Sequence, residues 1–154
     1  MSGKSTDRIT EKVLLRAPRA RVWQALADSG EFGQWFGVKG LGAFTQGATV
    51  RGKVTEKGDE DVTWEAIIER MEPGRLFSFR WHPYAVDPGV DYSGEPTTRV
   101  VFELEDAPNG TLLSVVETGF HGIPAARRAK AYEMHEQGWA WQMKSISGYL
   151  IKAA

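Results

Sequence analysis

The chain has 154 residues with a formal net charge of −1 and no cysteine. That length suits one domain with its own core, and the missing cysteines exclude disulfides and thiol chemistry. The near-neutral balance argues against nucleic acid or a membrane surface as partner, since both recruit proteins through a basic excess.

Met1–Asp7 is polar, lacks the apolar core of a signal peptide, and reads as a loose tail ahead of a single domain over residues 8–153. No apolar run approaches the ~20 residues of a membrane span, so a cytoplasmic location is expected. Ile9–Ala17 reads as a strand stopped at Ala17-Pro18. Proline suits the first turn of a helix, where Val22, Trp23 and Leu26 supply an inward stripe. Asp28 with Glu31 three residues on has the form of a capping box opening a second short helix that ends near Trp35-Phe36-Gly37.

The middle of the chain reads as a meander. Leu41–Phe44 and Ala48–Glu56 are expected strands, followed by Val62–Arg70, where Val62, Trp64, Ala66 and Ile68 share a face. Glu72-Pro73-Gly74 turns into Leu76–His82, and a long loop over Pro83–Thr98 follows. Its length, with Tyr92 in it, is that of a lid, although an ordinary surface excursion beside the strand-end His82 is the preferred reading. Arg99–Glu105 places Val100, Phe102 and Leu104 on one side. Asn109-Gly110 then signals a type I′ hairpin into Thr111–Phe120, and the sequon at Asn109 reads as turn rather than glycan site. Short turns imply antiparallel pairing. Pro124 opens a final helix to about Ile151, with Trp139, Met143, Ile146 and Leu150 spaced four, three and four along one face. The whole reads as one α+β domain.

Ala17-Pro18 with Val22-Trp23, Glu31…Trp35-Phe36-Gly37 and Glu72-Pro73-Gly74-Arg75-Leu76 occur here in a distinctive order. Val101-Phe102-Glu103-Leu104-Glu105, Glu117-Thr-Gly-Phe120 and Gly138-Trp139 continue it. Together they resemble the START-like (SRPBCC, helix-grip) superfamily, in its activator of Hsp90 ATPase homologue 1-like (AHSA1) branch. The resemblance implies a seven-stranded antiparallel sheet wrapped around a long C-terminal helix, two short helices after the first strand, and a cavity between sheet and helix. Members named for the co-chaperone carry a second, Hsp90-binding domain. Nothing in this sequence supplies one, so Hsp90 is not expected as a partner.

The leading expectation is a small hydrophobic or aromatic ligand in that cavity, bound without catalysis and without a cofactor. Trp35, Trp64, Phe79, Trp81 and Phe102 are candidates to line it, with Glu117, Phe120, Trp139 and Met143. Each large ring has a competing reading as plain core. Glu117 alternates with Leu113 and Val115, so it faces inward with them or outward if Leu112 and Val116 are the buried set. If inward, it is a candidate acid or base together with His82, as in a polyketide cyclase- or lyase-like enzyme. On that reading Glu117→Gln removes activity while leaving thermal stability unchanged or higher. A third hypothesis is a co-chaperone-like interaction module. His135 lies on the stripe of Tyr132 and Trp139 and reads as a hydrogen-bonded structural histidine.

Gly138 inside the helix either lets it approach the sheet closely, the reading favoured here, or permits a bend that widens the cavity. Three scattered histidines without carboxylates at ligand spacing give no metal site. Gly3-Lys4-Ser5-Thr6 and Gly40-Leu41-Gly42 lack the remaining glycines of phosphate-binding loops. A monomer and a homodimer both remain open.

Overall fold

The fold is described from a computed structural model over residues 7–83, 91 and 94–153. The expected tail, save Asp7, and most of the candidate lid, Tyr92 included, lie outside the described residues. Strand β1 (Arg8–Leu15) leads into helices α1 (Arg19–Ala27) and α2 (Ser29–Phe36). The short β2 (Val38–Lys39) and β3 (Thr49–Val54) follow, then β4 (Thr63–Glu72) and β5 (Leu76–Trp81). Strands β6 (Thr98–Ala107) and β7 (Gly110–Thr118) precede the 29-residue α3 (Ala125–Ala153). The seven strands form one sheet in the order β1-β7-β6-β5-β4-β3-β2, with every neighbouring pair antiparallel. This is the α+β helix-grip architecture that the sequence implied.

Period-two alternation decides which face of each strand is buried. Trp64, Ala66 and Ile68 turn inward from β4, and Val100, Phe102 and Leu104 from β6. Leu113, Val115 and Glu117 do so from β7. Trp139, Met143, Ile146 and Leu150 all bury on α3, while Trp141 is 69% exposed. Phe32 of α2 sits at the centre of an aromatic cluster, its ring against Trp35, Phe36, Phe44, Trp64, Phe77 and Phe79.

Four local expectations are corrected. Residues 40–44 form no strand, and pairing starts at the two-residue β2 instead. The hairpin between β6 and β7 pairs Ala107 with Gly110, leaving Pro108 and Asn109 as its two loop residues. Proline cannot take the positive φ that a type I′ turn demands at its first position. Asn109 alone does so, at 66°, in the pattern of a type II turn. Gly110 is required for another reason: a Cβ there would lie 2.0 Å from the Leu15 carbonyl oxygen. Third, Asp28 caps α2 by accepting from Gly30 N–H, but Glu31 does not complete a box. Its carboxylate accepts from Tyr149 Oη at 2.7 Å and pairs with Arg21, tying α1 and α2 to α3. Fourth, a Cβ added at Gly138 would meet nothing within 4 Å, so this glycine faces open space rather than close-packed sheet.

Candidate functional site: a carboxylate under an aromatic cleft

Sheet register places the polar centre. Trp81 at the end of β5 stands opposite Thr98 of β6, and Glu117 of β7 stands opposite Val100, two residues further along β6. Directly paired residues share a face, as do residues two apart, so all three side chains turn inward together. α3 crosses this end of the sheet and brings His135 and Trp139, one turn apart, onto the same carboxylate.

Glu117 is completely buried and fully satisfied. Its Oε1 accepts from Trp139 Nε1 at 2.7 Å and lies 2.7 Å from His135 Nδ1. Its Oε2 accepts from Trp81 Nε1 at 2.8 Å and from the Thr98 hydroxyl. Burial strongly disfavours the ionised form, but the His135 hydrogen bond and charge, with the Thr98 and Trp139 donors, outweigh it. They hold the carboxyl below its usual range. The far nitrogen of His135, Nε2, lies 2.7 Å from the Pro83 carbonyl oxygen. Both ring nitrogens therefore face oxygen acceptors. Both bonds form at once when the ring is an imidazolium beside the Glu117 carboxylate.

Above this pair lies a cleft of about 160 Å³ between the end of β5, the end of α2 and α3. Three rings wall it: Phe36, Trp81 and Trp139, with centroids 5.8–6.0 Å apart. His135 and Gln142 add its polar surface, Met134 its outer edge, and Gly138 the gap in the helix that keeps it open. Gln142 donates through Nε2 to the Phe36 carbonyl, while its Oε1 is buried without a partner.

Of the residues expected to line a cavity, Trp81 and Trp139 reach this cleft, and Glu117 lies one hydrogen bond behind it. Trp35, Trp64, Phe79, Phe102, Phe120 and Met143 are buried among other side chains and are absent from its wall. Trp35 spends its indole N–H on the Ala25 carbonyl at 2.8 Å. His82 is not on the wall either, its Nε2 lying 2.9 Å from the Glu95 carbonyl oxygen at the base of the long loop. Phe36, Met134 and Gln142 had not been expected there. The spacing of His135, Trp139 and Gln142, four then three residues, was the available signal for the α3 wall. Among the described residues no group of three or more His, Cys, Asp or Glu is placed to hold a metal. Nor is any helix long and apolar enough to cross a membrane.

Sheet, gripping helix and aromatic cleft define a helix-grip protein with an internal polar anchor. The match of residues 16–150 to the family described as "Activator of Hsp90 ATPase homolog 1-like protein" goes further, and the chain belongs to that family. No curated protein matches it. Among solved structures it is similar to the protein MLL2253 from Mesorhizobium loti, with a TM-score of 0.73 at 18% identity, covering 96% of this chain and 98% of that one. It is similar also to the Aha1 dimer from Colwellia psychrerythraea (TM-score 0.67, 16% identity, 91% and 92% covered). DynU16, a protein of the dynemicin biosynthetic locus, aligns with a TM-score of 0.70 at 26% identity, over 96% of this chain and 48% of DynU16.

Proposed function

We propose that the protein binds a small aromatic molecule in the cleft between β5 and α3, and that Glu117 with His135 positions the cleft wall rather than performing chemistry. The observation carrying this reading is the 160 Å³ space walled by Phe36, Trp81 and Trp139. Its size favours a single ring: an engineered apolar cavity of about 150 Å³ binds benzene, whereas drug-sized ligands need roughly 300 Å³ or more. A flat ring gains offset contact with the indole faces. Catalysis by Glu117 is disfavoured because each of its oxygens already holds two donors and none of its surface is exposed.

Single-ring aromatics should quench or shift tryptophan emission with dissociation constants of about 0.1–1 mM, equivalent to roughly −4 to −5.5 kcal/mol. Gly138→Leu, which projects a side chain into the open space at that position, should abolish the response without unfolding the protein. Unchanged emission of the wild type up to the solubility of the aromatic would overturn the reading.

A further inference from the structure

Among the described residues, Trp141 is the largest apolar side chain that the fold leaves outside, with 69% of its surface exposed. One exposed ring needs no explanation by itself. Its place on α3 gives it one. Met134, Gly138 and Trp141 follow at steps of four and three along one stripe of the helix, and the first two border the cleft. Residues three apart on a helix have Cβ atoms about 5–6 Å from each other. A helical side chain also leans toward the N-terminus, over the turn before its own Cα. For Trp141 that turn carries Gly138. A Cβ at Gly138 would meet no atom within 4 Å, so the indole has open space rather than protein to lean over.

We infer that Trp141 is the closing residue of the cleft: its indole swings over Gly138 onto a bound ring and adds a fourth aromatic wall to Phe36, Trp81 and Trp139. This rests on the proposed binding of a small aromatic molecule and adds a contact residue outside the wall already described. Closure is favoured only over an occupied cleft. An indole turned from water onto another ring buries the two surfaces that meet and gains an offset or edge contact. Turned over a gap, it buries little and still loses rotamer freedom. Gly138 permits the motion, since a bulkier side chain there would stand between the indole and the occupant.

The test titrates toluene into the wild type, Trp141→Ala and Trp141→Phe, with affinity read from NMR shifts of the protein. Subtracting the emission of Trp141→Phe from that of the wild type isolates the Trp141 component. With toluene bound, that component should move to the blue and become less accessible to acrylamide. Trp141→Ala should weaken toluene binding about threefold to tenfold, the range of one aromatic pair, and Trp141→Phe should recover most of the loss. Urea midpoints should stay near wild type in both variants, so lost affinity is not lost folding. Equal affinity in the wild type and Trp141→Ala, or a Trp141 component that stays exposed at saturating toluene, overturns this inference and leaves the aromatic cleft standing. A blue shift that follows protein concentration without toluene assigns the indole to a contact between copies of the chain and overturns it too. Failure of toluene to bind the wild type removes the inference and the cleft reading together.

Discussion

The buried carboxylate of Glu117 is stable because all its neighbours are donors, and that arrangement reverses the simplest expectation for its neutral isostere. A glutamine at 117 replaces one carboxylate oxygen by an NH₂ group. Oε1 receives the Trp139 indole N–H and Oε2 the Trp81 indole N–H, and indole nitrogen can only donate. Whichever way the amide turns, one N–H group faces another in a dry interior. Glu117→Gln should therefore lower stability by about 1–3 kcal/mol at pH 7, the penalty for unmet buried polar groups, rather than leave it unchanged. Urea midpoints of the two proteins check this, and equal midpoints would mean that Glu117 is protonated or that the ring of donors is not formed. Thr98 offers a control. Thr98→Val removes one of the two donors to Oε2 and leaves the Trp81 indole N–H in place, setting no donor against another, so it should cost less than the glutamine change.

At the level of the element, α3 serves three neighbours from one helix. Its inner stripe packs on the sheet, Tyr149 ties it to α2 through Glu31, and its His135–Gln142 segment forms the cleft. Trp139 belongs to the stripe and to the polar centre at once, being 3% exposed and bonded to Glu117. Trp139→Ala should cost roughly 3–5 kcal/mol through lost burial and the void left behind. Trp141 stands about 200° further round the helix and is mostly in solvent, so Trp141→Ala should change stability by no more than about 0.5 kcal/mol. Equal losses in urea denaturation would contradict the assigned face. Gly138 separates stability from binding. A methyl group there meets no atom within 4 Å and relieves the helix of glycine's entropy cost, so Gly138→Ala should raise stability by about 0.5–1 kcal/mol. The same methyl enters the cleft, so affinity for single-ring aromatics should fall. Such a trade is expected where a helix carries a binding gap that its own stability disfavours.

Across the whole molecule, what was legible in the sequence was what repeats. The α3 stripe and the alternation in β4, β6 and β7 each involve several residues whose burial must agree, so periodicity exposed the sheet and its gripping helix. The alternation also turned Glu117 inward with Leu113 and Val115, resolving the choice of face on β7. The cleft was less legible because its wall is assembled from the ends of elements. Phe36, Trp81 and the His135–Gln142 segment meet only once register and helix placement are set, and no local pattern marks which ring borders a void. The same assembly from distant elements shapes the response to acid. Glu31 links α2 to Arg21 and Tyr149, Glu69 links β4 to Arg99 of β6 and Arg80 of β5, and Glu117 links β7 to β5, β6 and α3. All three carboxyls are held below their ordinary value of 4.5: burial opposes each, but hydrogen bonds from Tyr149 and Arg21 at Glu31, from Arg99 at Glu69 and from His135 at Glu117 prevail. A carboxyl with a depressed folded value adds stability that is complete above its unfolded value and is lost as pH falls through the folded one. Wild-type stability should therefore hold above about pH 5 and decline steadily below 4.5. Glu117→Gln has no proton to take up at that position, so the gap between it and wild type should narrow between pH 5 and pH 2.5. Urea unfolding at pH 7, 4 and 3 reads both curves. A gap that stayed constant or widened toward acid would show that the Glu117 carboxyl is not depressed, and the ionised carboxylate beneath the cleft would have to be abandoned.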